Sequence, residues 1–413
     1  MKTLNLVFFI SFFLFINNLK AQVCGCTDPL ATNYNSLATQ NDGSCVYSSG
    51  SVAPSSSFNL VSTLSETSGL INWNDQIWTH NDNLDLNIYS LDTANGNISQ
   101  TYQLTGVINN DWEEISQDSN YIYIGDFGNN SNGNRTNLKV LRIDKNSILI
   151  NSPVIDSINF TYSDQTDFTA TGSNNTDFDC EAFIVSSDSI FLFTKQWISN
   201  KTSVYSLSKT PGTYNANLKT TFDVQGLITG AVYLENQRLV VLCGYSSLLQ
   251  PFVYLIYDFN GSDFFSGNKR KITISLSFHQ VEGIATTNGL KYYISNEYFS
   301  QPPYITNSQK LHILDLSPYL SNYLNSIISN IPKNEKFNNV LIYPNPAKNQ
   351  INVKLSITHI GATYYITDKL GKTVTTGKIN AENSTIELGN LPEGIYVFSI
   401  GEDIKQTFKI IKK

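Results

Sequence analysis

One phrase, repeated around the middle of the chain, limits the fold more than anything else. Its clearest copy, Asp111-Trp-Glu-Glu-Ile-Ser-Gln-Asp-Ser-Asn-Tyr-Ile-Tyr-Ile-Gly-Asp-Phe-Gly128, is an acidic opening, a short apolar run, a polar turn and an aromatic-rich run. Cys180-Glu-Ala-Phe-Ile-Val185 leading to Ile190-Phe-Leu-Phe-Thr-Lys195 repeats it, as does Glu282-Gly-Ile-Ala285 leading to Tyr292-Tyr-Ile-Ser-Asn-Glu297. A fourth copy starts at Glu66 and ends at Gln76-Ile-Trp-Thr-His-Asn-Asp82, and a fifth has Thr229 where the others have Glu. A third run follows each copy, for example Leu138-Lys-Val-Leu-Arg-Ile143, and a fourth run such as Lys271-Ile-Thr-Ile-Ser-Leu276 follows all but the last. Four β-like runs per unit, at a period of ~40 to 50 residues, predict an all-β chain with a β-propeller at residues 58–317. The copies count to five blades. Six is the alternative, because the interval between the second and third copies is long enough for a degenerate unit. The segment Phe58-Asn-Leu-Val-Ser-Thr-Leu64, ahead of the first copy, is placed to supply the missing last strand and close the ring.

Both ends of the chain differ from this middle. Residues 1–21, with Lys2, the apolar run Leu6–Ile16 and a small-residue exit at Ala21, have the layout of a secretory signal peptide. That run is too short for a membrane anchor, and no other stretch is transmembrane in character. A lipoprotein reading would use Cys24, but Gln22-Val23 lacks the usual small residue before it. Residues 22–47 form a small Cys-bounded segment, the Ser/Pro/Gly-rich 48–57 reads as a linker, and the Asn- and Ser-rich 318–339 reads as a second linker with room for one short helix. From 340 to 413, short alternating runs such as Gln350-Ile-Asn-Val-Lys-Leu355 and Gly394-Ile-Tyr-Val-Phe-Ser-Ile400 predict a small β-sandwich.

Three resemblances overlie this reading. The phrases Tyr343-Pro-Asn-Pro346, Asp368-Lys-Leu-Gly371, Leu391-Pro-Glu-Gly-Ile-Tyr-Val397 and the basic end Lys409-Ile-Ile-Lys-Lys413 resemble, in order, the type A C-terminal sorting domain of the type IX secretion system. That resemblance implies passage through the periplasm and across the outer membrane, with the secretion machinery as partner of residues 340–413. The segment Cys26–Cys45, with its Gly-Cys-Thr-Asp-Pro, Asn-Tyr-Asn and Asp-Gly-Ser-Cys phrases, resembles the Cys-bounded, thrombospondin type 3-like segment of secreted Bacteroidota proteins. It implies a Cys26 to Cys45 disulfide in an exported chain, and either a calcium loop built on Asp28, Asn33, Asn35 and Asp42 or a polar loop without an ion. Five cysteines leave at least one unpaired, and Cys180 and Cys243 sit in apolar strands that suit buried thiols. The repeats, through Trp78-Thr-His-Asn-Asp82, Asp111-Trp-Glu-Glu-Ile115, Gly125-Asp-Phe-Gly-Asn129, Asp179-Cys-Glu-Ala-Phe183 and Val281-Glu-Gly-Ile284, resemble gluconolactonase-like and esterase-like phytase propellers. That implies an acidic, calcium-loaded channel, although Thr229 breaks the acidic ring.

The first strand of a blade starts, and the second ends, on the same face of a propeller. Glu66, Glu114, Glu181 and Glu282 are therefore expected to ring the channel mouth as metal ligands, with His80, Asp82, Asp126, Lys195 and Glu297 on the ligand-binding rim. Carboxylates crowded in a narrow channel need an offset, and calcium with oxygen ligands supplies it. The alternative is structural, with each Glu bonding backbone N–H groups of the next blade. Zinc is disfavoured because His80, His279, His312 and His359 are scattered. A net charge of −7 argues against nucleic acid as partner. Two function classes fit: an exported calcium-binding propeller for an unidentified extracellular small molecule or polymer, or a metal-dependent hydrolase of phosphoesters, lactones or esters with Glu114 or Glu282 as base. No Gly-x-Ser-x-Gly elbow favours a serine nucleophile. Either way the chain is expected outside the cell or on its outer surface.

Overall fold

In the computed structural model, residues 22–330, 340–355, 360–369, 371–401 and 406–413 are described. The expected signal peptide and His359 lie outside them. The described chain divides into two compact units, Met1–Leu324 and Asn325–Lys413.

The first unit contains a five-bladed propeller of four antiparallel strands per blade, with blades 2 and 3 joined into one eight-stranded sheet by parallel pairing of Ile158–Tyr162 with Gly212–Ala216. Blade 1 is Thr67–Trp73, Gln76–Asn81, Asn87–Leu91 and Ile98–Gln103; blade 2 is Trp112–Gln117, Tyr121–Asp126, Lys139–Asp144 and Ile155–Tyr162. Blade 3 is Cys180–Val185, Ser189–Thr194, Thr202–Ser208 and Gly212–Phe222; blade 4 is Leu227–Leu234, Leu239–Tyr245, Pro251–Tyr257 and Asn268–Ile274. Blade 5 takes Val281–Thr286, Lys291–Asn296 and Lys310–Asp315 from its own stretch and Ser56–Asn59 from the start of the chain. The five first strands pack side by side in ring order, blade 5 against blade 1. The ring thus closes through a strand that precedes the first repeat, two residues earlier than the Phe58 start read from sequence.

Strand character follows depth. Cys180–Val185 and Leu239–Tyr245 are buried along their whole length, so both faces are apolar or small except at Glu181. The outermost strand of blade 2 has one covered face, and Ile158, Phe160 and Tyr162 are buried while Asn159 and Thr161 are exposed. The long interval between the second and third repeats holds no sixth blade. Residues 163–179 instead form a loop tied to the second-blade loop by Thr171 N–H to Asn132 C=O and Asn174 N–H to Asn130 C=O.

Both stretches read as linkers carry structure. Gly50–Val52 adds a parallel strand to the edge of blade 4, and Ser317–Asn330 is a helix whose Leu320 and Leu324 enter the core shared by blades 4 and 5. The one short helix allowed for in the second linker is present and 14 residues long, and a narrow apolar stripe is enough to dock it despite its polar composition. The Cys26–Cys45 disulfide is present, and its loop sits on blade 4. Asp28 Oδ2 accepts from the hydroxyls of Tyr257 at 2.5 Å and Tyr47 at 2.8 Å. The other oxygens considered for calcium bond the loop's own backbone: Asn33 accepts from Val46 N–H, Asn35 from Leu37 N–H, and Asp42 from Ser44 N–H.

The second unit is a β-sandwich of a three-stranded sheet, containing Leu341–Tyr343, Gln350–Lys354 and Asn383–Glu387, and a four-stranded sheet, containing Thr363–Thr367, Thr373–Lys378, Gly394–Ile400 and Gln406–Lys412. Ile351, Val353, Ile366, Ile386, Phe398 and Ile410 fill the space between them. Among the described residues, no helix is long and apolar enough to cross a membrane.

Candidate functional site

Near the mouth end of its first strand, every blade breaks register with the second strand. The breaks lie between Thr67 and Leu70, between Trp112 and Glu114, between Cys180 and Ala182, between Ile228 and Gly230, and between Val281 and Ile284. A bulge adds a residue to one strand and re-aims its side chain. The residues set free are Ser68 with Gly69, Glu113, Glu181, Thr229, and Glu282 with Gly283. The repeat's acidic position is thus Glu113 in blade 2 and not Glu114, and in blade 1 it is Ser68 and not Glu66.

The bulges also seat each blade on its neighbour. Ser68 Oγ donates to Glu113 C=O, and Thr229 Oγ1 donates to Val281 C=O at 2.6 Å. A Cβ on Gly283 would strike the carbonyl oxygen of Ser68, so only glycine lets blade 5 approach blade 1 there.

Around the bulged residues lies a cavity of about 230 Å³ lined by six carboxylates, Asp82, Asp111, Glu113, Glu181, Glu282 and Glu297. Lys195 is the one cation among the described lining residues, which include Trp197, Tyr245, Asn130 and Asn174. Lys195 pairs with Glu181, and its ammonium lies 4.7 Å from the Trp197 ring centre and 5.1 Å from that of Tyr245. Burial is the largest single influence and opposes the charge on Lys195, but Glu181, Tyr245, Glu282 and Asp179 together outweigh it and hold the lysine pKa well above its usual value. Burial pushes Glu113, Glu181 and Glu282 well above the usual carboxylate range, with neighbouring acids adding to the effect. Asp82 is pushed to about 8, first by burial and then by Glu297, Glu66 and Asp111. Glu297 rises to about 7 and Asp111 to about 6, burial leading in both.

Glu66, Asp82 and Glu297 form the tightest acidic group, each offering a carboxylate oxygen so that all three lie within 4.8 Å of one another. Glu66 and Asp82 come from blade 1 and Glu297 from the end of the second strand of blade 5. Among the described residues, no hydrogen bond reaches the carboxylates of Glu113 or Glu282, which are only 6% and 7% exposed.

Several expected site residues lie elsewhere. Glu114 is fully buried and accepts from Ala231 N–H at 2.7 Å and Ile115 N–H at 2.9 Å. It locks the ring, and of the two candidate bases only Glu282 lines the cavity. Asp126 is taken up by Arg135 at 2.7 Å, Lys139 at 3.3 Å and Asn110 Nδ2 at 2.7 Å. His80 is buried against the edge of Trp112, and burial lowers its pKa to about 4, which keeps it neutral. Asp82, Glu181, Lys195, Glu282 and Glu297 do meet at the cavity. Tyr245, which ends a strand, and Trp197, in the turn after one, went unread; both look like core residues until Lys195 is seen against their rings.

A search of curated proteins finds no match to the chain. Solved structures that resemble it include PorZ, a bacterial surface component of the type IX secretion system of Porphyromonas gingivalis, at 12% identity and a TM-score of 0.29, covering 84% of this chain and 45% of PorZ. Another is the PQQ-bound aldose sugar dehydrogenase of Streptomyces coelicolor, at 10% identity and a TM-score of 0.37, covering 63% of this chain and 98% of that one. The chain thus spans less than half of PorZ, and neither likeness bears on its chemistry. Residues 341–413 match the family model of the secretion system C-terminal sorting domain. The chain therefore ends in a type IX sorting domain, which directs it to the cell surface or the extracellular space.

Proposed function

We propose that the protein is an exported propeller that binds calcium at the cavity mouth, with Glu66, Asp82 and Glu297 as ligands. The observation that carries this reading is the convergence of three carboxylate oxygens within 4.8 Å of one another. Like charges so close in a partly buried site keep their protons, as the rise of Asp82 to about 8 and Glu297 to about 7 reflects, unless a cation replaces them. The donors are all oxygen, which suits a hard cation, and they stand on two blades, a spread that calcium's flexible coordination tolerates better than magnesium's strict octahedron. When bound, calcium would supply charge neutralisation at the mouth and a water-accessible coordination position. Lys195 is paired with Glu181 and offsets only part of the rise at Glu297, which leaves the rest of the triad's charge to an external ion.

The test is thermal melting of the purified full chain in calcium and in chelator. A ligand specific to the folded state stabilises by about 2.7 kcal/mol at a hundredfold excess over its Kd. Calcium is expected to raise the melting temperature of the wild type, and Glu297→Gln to remove most of that rise. A wild-type melt indifferent to calcium overturns the reading.

A further inference from the structure

We propose that the cavity end of the propeller is a docking surface for a polypeptide segment that carries a lysine or arginine among apolar side chains, the cation entering the acidic cavity and the apolar neighbours resting on the surrounding loop tips. The proposal goes beyond calcium binding and does not require it, because Asp111, Glu113 and Glu282 lie outside the Glu66, Asp82 and Glu297 group.

Two independent observations meet there. The loops that join second to third strands, and each blade to the next, all leave from the end that holds the cavity, since Asp82, Asp111, Lys195 and Glu297 stand at their bases. Those loops carry large apolar residues on their outer parts: Leu84 is 85% exposed, Ile198 61%, Leu248 79%, Phe278 49% and Tyr304 87%. Single exposed apolar residues are ordinary, but a set spread over blades 1, 3, 4 and 5 at one end marks an interaction surface. Phe278 also has φ of 62°, a left-handed backbone that a bulky residue rarely adopts, and Asn307 Nδ2 donates to its carbonyl from the neighbouring hairpin.

The opposite end also exposes apolar residues, Leu149, Ile150 and Val154 of blade 2 and Tyr34, Leu37 and Val46 of the N-terminal loop, but does not pair them with an acidic well. Its tight turns are Asn74-Asp75, Ser119-Asn120, Ser187-Asp188, Asn236-Gln237 and Asn288-Gly289, and the cavity beside Ser187-Asp188 sets Asp188 and Glu235 against Lys219 and Arg238. An apolar ring around a well of acids that an entering cation would ionise selects its occupant by charge. An anionic partner meets six carboxylates against one lysine, whereas a basic side chain flanked by apolar ones satisfies both parts. A cavity of about 230 Å³ is on the scale of one long side chain, not of a folded domain.

The probe is a fluorescent peptide of alternating Leu and Lys, compared with Leu/Glu and Ser/Lys counterparts by anisotropy on the full chain. The Leu/Lys peptide is expected to bind about tenfold or more tighter than either counterpart, a difference of about 1.4 kcal/mol. A Leu84→Ser, Leu248→Ser, Tyr304→Ser triple variant changes only solvent-exposed tips, and it and Glu282→Gln should each weaken Leu/Lys binding by about tenfold. Equal affinity for the Leu/Glu peptide, or undiminished binding by the triple variant, overturns the proposal. So does binding to neutral phosphatidylcholine vesicles that the triple variant loses, which would assign the tips to a lipid surface. Calcium melting on the same samples separates the two readings: peptide binding with calcium-indifferent melting overturns only the calcium reading, and the converse overturns only this one.

Discussion

The carboxylate of Glu114 in blade 2 accepts the backbone N–H of Ala231 in blade 4 at 2.7 Å, across the centre of the ring. It also accepts from Ile115 N–H beside it at 2.9 Å, so one side chain ties blade 2 to blade 4. Glu114→Ala would leave those buried donors without an acceptor, at about 1–3 kcal/mol for each group left unmet. The variant is expected to melt well below the wild type while keeping its calcium-dependent rise. Loss of the calcium response with little change in stability would make Glu114 a ligand instead.

The cavity acids set a pH dependence. The pKa of Asp82 rises from 3.8 to about 8 and that of Glu297 from 4.5 to about 7 on folding. Between those limits the folded state holds protons that the unfolded state has released, so stability falls as pH rises, by up to about 1.4 kcal/mol per pH unit for each group. In chelator, the melting temperature should therefore drop from pH 5 to pH 8.5, and Asp82→Asn should flatten the drop. Calcium replaces the protons, so its stabilising effect should be larger at pH 8.5 than at pH 5. A chelated protein that gained stability over this range would contradict the site's electrostatics.

Asp28 holds the N-terminal loop on blade 4 through Tyr257 and Tyr47, and its Oδ1 accepts from Leu30 N–H at 2.9 Å. Asp28→Ala removes the acceptor that both phenolic hydroxyls share and leaves them only their mutual contact at 3.0 Å, so a loss of about 1–3 kcal/mol is expected. Limited proteolysis should then cut within residues 22–52 first. Because the loop's oxygens bond its own backbone, the calcium response should persist.

The sorting domain has its own core, separate from that of the propeller. Deleting Leu341 to Lys413 should leave the propeller's melting and calcium response intact while the protein stops in the periplasm. Immunoblots of periplasm and medium check this, and a truncated chain found in the medium would refute it.

Much of the architecture is legible in the residue order. Four short runs per repeat, alternating on the half-covered outer strands, mark strands and faces, five copies of the phrase favour five blades over six, and the ordered phrases from Tyr343 to Lys413 mark the address. The mouth residues were legible only in part. Asp82, Lys195 and Glu297 end second strands and fall where alternation puts them, and Glu181 and Glu282 keep their register in the repeat. Glu113 and Glu114 are adjacent, and nothing short of the folded blade tells them apart. A one-residue bulge exchanges the two faces of a strand. In blade 2 it turns Glu113 into the cavity and sends Glu114 across the ring to Ala231. Asp126 was lost to the site in the same way, because Arg135 and Lys139 reach it from a loop and a third strand. The closing strand Ser56–Asn59 found its partner at Lys310–Ile313 because an edge left open in blade 5 offered unpaired backbone groups to the nearest strand.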